Sequence, residues 1–157
     1  MTIMLGCLLL AGCTSMPIYR PAATANDYGY RVKALTDRQY RVSFAAGYGV
    51  ARETVENLAL FRAAQLALSH GVQHFEVVSN NTGAVNSYSA PTATIGYGYG
   101  YPFWGPGIGY TQSVSRTRYE TVLVIDISPD LPANSPHVYD ARQIKHNLAA
   151  LANGADD

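Results

Sequence analysis

The sequence predicts a small α+β domain in the order β-β-α-β-β-α, with a mainly antiparallel sheet, two helices and one long Gly/Tyr-rich loop. Three observations predict it. The alternating segments Tyr30–Lys33 and Tyr40–Phe44 flank a turn-like Thr36-Asp37-Arg38-Gln39, which is the pattern of a β-hairpin. The stretch from Ala51 to His70 has no internal Gly or Pro and is rich in Ala and Leu, which favours a helix. Further strand-like runs come before a second amphipathic segment near the C-terminus, and segregated strands and helices of this kind pack as an α+β fold.

In the hairpin, Tyr40, Val42 and Phe44 share one face and Arg41 and Ser43 the other. Gly47-Tyr48-Gly49 breaks the second strand before the long helix. Glu53 and Glu56 stand at the start of that helix, where its dipole favours anions, and Gly71 is placed to stop it. Its apolar residues, from Val55 to Leu68, cover most of the circumference, so it should be covered on more than one side. His74–Val78 reads as the third strand. A strand or hairpin arm follows from Gln112 to Ile127, and its apolar centre Val122-Leu123-Val124-Ile125 suggests burial on both faces. Ser135-Pro136 is expected to start the last helix, whose stripe Val138, Ala141, Ile144, Leu148 and Leu151 ends at Asn153-Gly154. This helix is expected to cover the sheet face that the first one leaves open.

The N-terminus carries a different signal. Ile3–Ala11 is an apolar run too short to span a bilayer and of the length found in signal peptides. It ends in Leu10-Ala11-Gly12-Cys13, which resembles the bacterial lipobox. Lipidation by diacylglycerol is therefore expected at Cys13, and two or more acyl chains give stable anchoring where one would not. Met1 and Thr2 carry no positive side chain, so a basic stretch is expected ahead of them. The chain then divides into a signal peptide, 1–12, a lipidated tether, 13–27, and a single domain, 28–152, with a flexible Gly/Tyr-rich insert at about 83–111. Thr14 is not the aspartate of the best-known inner-membrane retention rule, so the expected address is the outer membrane, facing the periplasm.

Eleven Lys/Arg balance eleven Asp/Glu in 157 residues, which leaves no global electrostatic handle for nucleic acid. Cleavage before Cys13 removes Cys7, so no thiol remains for a disulfide or a metal. His70 and His74 have a metal-binding spacing, but Gly71 should end the helix between them. Glu53 and Glu56 share a helix side, and dipole compensation with an Arg52–Glu56 ion pair accounts for them. No nucleophile elbow, phosphate loop or dinucleotide motif occurs. No catalytic residue, cofactor or metal is assigned, and the chain is not expected to be an enzyme.

The most unusual feature is the run from Val77 to Ser115, which carries no charge. Within it, Gly96–Tyr110 holds six Gly and four Tyr. Tyr97, Tyr99, Tyr101, Phe103, Trp104 and Tyr110 are the candidate ligand-binding residues, since such rings offer flat apolar faces with a polar tip. A low-complexity loop without a ligand is the alternative.

Tyr40-Arg41-Val42-Ser43-Phe44, Arg52-Glu53-Thr54-Val55-Glu56-Asn57, Arg62-Ala63-Ala64 and Tyr139-Asp140-Ala141-Arg142 together resemble a family of small proteobacterial lipoproteins of unknown function. The resemblance covers roughly residues 28–78 and 120–151. It implies an envelope location and supplies no catalytic residue. The expected role is structural or interaction-based, with an envelope protein or glycan as partner beside the membrane that holds the lipid. The alternative is a periplasmic module that binds glycan or peptide through the aromatic loop.

Overall fold

A computed structural model of the chain describes residues 19–88, 93–96, 107–110, 115–132 and 134–154. It is an α+β fold built on a five-stranded antiparallel sheet. Strand β1 (Gly29–Ala34) and strand β2 (Gln39–Ala45) form the expected hairpin. The turn is closed by Thr36, whose hydroxyl accepts from the Gln39 amide at 3.0 Å. Helix α1 (Arg52–Ser69) follows, then β3 (His74–Tyr88), β4 (Ala93–Gly96), β5 (Gly107–Tyr110), β6 (Ser115–Asp126) and β7 (Val138–Asp140). Two short helices, α2 (Ala141–Asn147) and α3 (Ala149–Ala152), end the fold. The sheet order is β1-β2-β6-β3-β7, and β4 pairs with β5 in a separate ribbon.

The core lies between the sheet and α1. From the sheet come Val42, Phe44, Phe75, Leu123 and Ile125, and from the helix Val55, Leu58, Ala59, Ala63 and Ala67. Tyr40, Val42 and Phe44 point to this side, and their partners across the pair, Ile125, Leu123 and Thr121, do the same. The first turn of α1 carries the Arg52–Glu56 ion pair at 2.9 Å. Gly71, at φ 74°, supplies the left-handed residue after its end, and the Val72 amide bonds back to the Ala67 carbonyl.

Four sequence expectations are corrected. First, among the described residues the helices cover one face of the sheet. Strand β6 is central, with β2 on one side and β3 on the other, yet Val122 and Val124 are only half-buried on the outer face. The expected second cover is missing because α2 packs against α1 and not on that face. The other side of α1 is thus closed by helices, which is why its apolar surface runs nearly all round.

Second, the last helix starts later. Val138 and Tyr139 extend the sheet as β7 against Glu76 and Phe75, and Tyr139 stacks on Phe75 at 5.7 Å. Asp140 is the cap, its carboxylate accepting from the amides of Arg142 at 2.8 Å and Gln143 at 3.0 Å. Third, β3 is much longer than His74–Val78. A bulge between Val77 and Ser79 shifts its register on β6, and pairing then continues to Tyr88 opposite Ser115. Residues 83–88, placed by the sequence reading in a flexible insert, are therefore paired strand. Fourth, residues 19–27, read as tether, pack on the domain.

Candidate functional site

Two features meet at one end of the molecule: the entry of the N-terminal chain and the β3–β6 arm. The entry is built around Tyr19. Its ring lies 4.9 Å from Tyr30, 6.2 Å from Phe44 and 5.1 Å from Phe61, the last edge-on. It therefore fills the gap between the β1 edge and α1. Burial pushes its phenol up to about 12, despite the nearby Arg62 cation, so the hydroxyl stays protonated. It donates to Gln65 Oε1 at 2.6 Å, which also accepts from Arg62 Nη1 at 3.1 Å. The Arg62 guanidinium in turn covers the Tyr30 ring at 4.3 Å.

The next residues run beside β1. The Tyr30 amide donates to the Arg20 carbonyl at 2.8 Å and the Ala22 amide to the Tyr30 carbonyl at 3.0 Å, a short parallel bridge. Asp27 closes the loop that follows, accepting from the Ala23 amide and pairing with Arg20 at 3.0 Å. The Ala23 and Tyr28 amides, and then the arginines, hold its carboxyl below the usual range. Arg31 clamps the same loop from the outer sheet face. It bonds the carbonyls of Thr24 and Ala25, and its Nη2 meets Glu120 at 2.5 Å. Its Nε donates to Ser43 Oγ at 3.4 Å, and Ser43 is buried on this outer face, as is Ala45.

The arm begins where β2 ends. Ala45 is the last β2 residue opposite β6, at Glu120, and β6 with β3 then continue as a two-stranded ribbon to Ser115 and Tyr88. A polar chain ties its base to the first turn of α1. Thr82 donates to Glu56, so Thr121, wholly buried, donates to Thr82 across the strands at 3.0 Å. Thr82 and then Arg52 hold the Glu56 carboxyl below its usual range. Further along the chain, Gly96 pairs with Gly107 in the β4–β5 ribbon.

Of the sequence candidates, Cys13, Tyr97, Tyr99, Tyr101, Phe103 and Trp104 lie outside the described residues. Tyr110 is the last residue of β5, paired with Ala93. The structure does not bring His70 and His74 into one site. His70 caps α1, with its ring 5.2 Å from Tyr40, and His74 pairs with Asp140 in the sheet. Among the described residues, no group of three or more His, Cys, Asp or Glu is placed to hold a metal. A shallow hollow lined by Leu68, Arg142, Lys145, His146 and Ala149 lies between α1 and α2, and sequence reading did not single it out.

Sequence reading also missed Tyr19. The partners of this ring are far away in the chain, and the only local signal is one aromatic in a polar, Pro-containing stretch. Tyr19→Ala should cost about 2–4 kcal/mol in urea unfolding, as for a large, well-packed side chain that is partly exposed. Tyr19→Phe should cost about 0.5–1.5 kcal/mol, the value of the Gln65 hydrogen bond. In Tyr19→Ala, the Ala22 and Tyr30 amides, which bond across the docked segment, should exchange with solvent faster. Equal losses for the two variants would mean that the ring packing contributes little.

No family model, curated protein or solved structure matches the chain.

Proposed function

We propose that this chain is a lipid-anchored bacterial envelope protein with a structural or interaction role and no catalytic activity, held by Cys13 in the outer membrane and facing the periplasm. The observation that carries this reading is the apolar run ending in Leu10-Ala11-Gly12-Cys13. The docking of Tyr19 gives it a geometric consequence. Six peptide units separate Cys13 from Tyr19, a reach of at most about 20 Å. An acylated Cys13 then keeps the domain close to the bilayer, with the end that bears the chain entry and the arm turned towards it.

The test is metabolic labelling with an alkyne fatty acid. Wild type should label and Cys13→Ala should not, and the variant should keep its full-length mass. Equal labelling of both would overturn the reading.

A second reading rests on the β4–β5 ribbon. Tyr97, Tyr99, Tyr101, Phe103 and Trp104 fall in sequence between its two paired strands. A segment of this composition suits glycan or peptide binding. It would show as a change in Trp104 fluorescence on adding soluble peptidoglycan fragments.

A further inference from the structure

The outer edge of β3 differs from the other strand edges of this fold. Up to Val77 it is occupied by β7, whose last bond runs from the Val77 amide to the His137 carbonyl at 2.9 Å. From Ser79 onward, no described strand lies on that side. The backbone alternation shows which groups point there. The Tyr119 carbonyl accepts from Ala46 and the Ile127 amide bonds Arg38, so the odd residues of β6 face β2 and the even ones face β3. Their β3 partners Ser79, Asn81, Gly83 and Val85 therefore bond β6, while Asn80, Thr82, Ala84 and Asn86 turn their amides and carbonyls outward.

Natural edges of this length carry charges or proline. The bulge at Val78 protects the start of the edge, but Ser79–Tyr88 contains no charged residue and no proline. Asn80, Asn81, Gly83, Ala84, Val85 and Asn86 are all exposed. The opposite edge of the same arm is guarded, since β6 there reads Arg116-Thr117-Arg118. Pairing two copies along that side would bring like charges together, whereas pairing along β3 brings none.

We infer that the β3 edge is a self-association surface, on which a second copy of this chain adds its own β3 antiparallel about a two-fold axis at Gly83. In this register Asn80 faces Asn86 of the second copy, Thr82 faces Ala84, Asn81 faces Val85, and Ser79 faces Ser87. Each outward amide meets an outward carbonyl, and the one residue that meets itself has no side chain. A Cβ on Gly83 would have open space, so the axis is not blocked from within the chain. The contact is isologous, and two copies close it without continuing into a fibre. Strand addition at one edge buries little apolar surface, so the dimer is weak in solution. Holding both copies in one plane raises their effective concentration. The pairing itself does not depend on acylation of Cys13.

The test uses the full chain in a mild non-ionic detergent, with its protein mass read by light scattering from micromolar to near-millimolar concentrations. Wild type should pass from monomer to dimer. The pair Asn80→Lys with Asn86→Lys places lysines opposite each other twice and should weaken the dimer at least tenfold, and Asn80→Glu with Asn86→Glu should do the same. An equimolar mixture of the two variants should dimerise again. Ala84→Pro removes an outward amide, leaves the β6 bonds intact, and should also give monomers. Circular dichroism matching wild type shows that each variant is folded. A wild type that stays monomeric throughout would overturn the proposal. So would dimers that survive both charge variants, or a mixture that stays monomeric.

Discussion

Phe44→Ala is expected to destabilise the domain by about 3–5 kcal/mol, enough to threaten folding in a protein whose total stability is of order 5–15 kcal/mol. Phe44 is fully buried. Its ring sits where three segments meet: Tyr30 opposite it on β1, Thr121 opposite it on β6, and Tyr19 from the N-terminal segment stacked at 6.2 Å. Removing it empties a site whose walls are strand backbone and a helix fixed by the rest of the core, so little can collapse into the space. A fall in melting temperature of roughly 10–25 °C follows for a domain of this size. Val85→Ala, on the exposed arm, is the control and should change stability by less than about 0.5 kcal/mol. A loss below about 1 kcal/mol for Phe44→Ala would mean that the hairpin is not part of the core.

Gly29→Ala is the second large effect, and its cause is the backbone. Gly29 has φ 120°, and a Cβ there would stand 2.2 Å from the Arg20 carbonyl oxygen and 3.1 Å from the Ala22 amide nitrogen. Both are main-chain atoms and cannot rotate away. The strained conformation costs about 1–3 kcal/mol, and relieving the clash breaks the two bonds between Tyr30 and the N-terminal segment. The segment 19–27 is expected to leave the domain. Hydrogen exchange should show lost protection at Ala22 and Tyr30, with the β2 amides still protected. Gly71→Ala provides the comparison. Its φ of 74° is strained too, but a Cβ there meets nothing within 4 Å, so the cost should stay near 1 kcal/mol. If Ala22 stays protected in Gly29→Ala, the parallel bridge does not hold the segment. Under the proposed anchoring at Cys13, release at Gly29 would lengthen the leash between that residue and the first strand and loosen the orientation of the domain.

The sequence by itself determined the elements whose pattern is local. Alternation in Tyr40–Phe44 specified the hairpin and its buried face, and the Ala- and Leu-rich run ended by Gly71 specified α1 and its C-terminus. The apolar centre of β6 marked the central strand. Each of these is readable because side-chain period follows from backbone geometry alone.

Tertiary structure decided which apolar surface meets which. Val138 fits a helical stripe equally well in sequence, but the Phe75 ring and the edge of β3 made it and Tyr139 a strand. The second helix packs on α1 because α1 is apolar nearly all round, and this leaves Val122 and Val124 half-exposed on the outer face. Tyr19 docks against residues as distant in the chain as Gln65, so no local pattern announces it. The length of β3 was hidden for a related reason. Asn80, Asn81, Thr82 and Gly83 have weak strand preference of their own, and pairing with Val122, Leu123, Thr121 and Glu120 of β6 holds them extended. Strand propensity reports mainly the partner a strand finds, and that partner lies almost forty residues further along this chain.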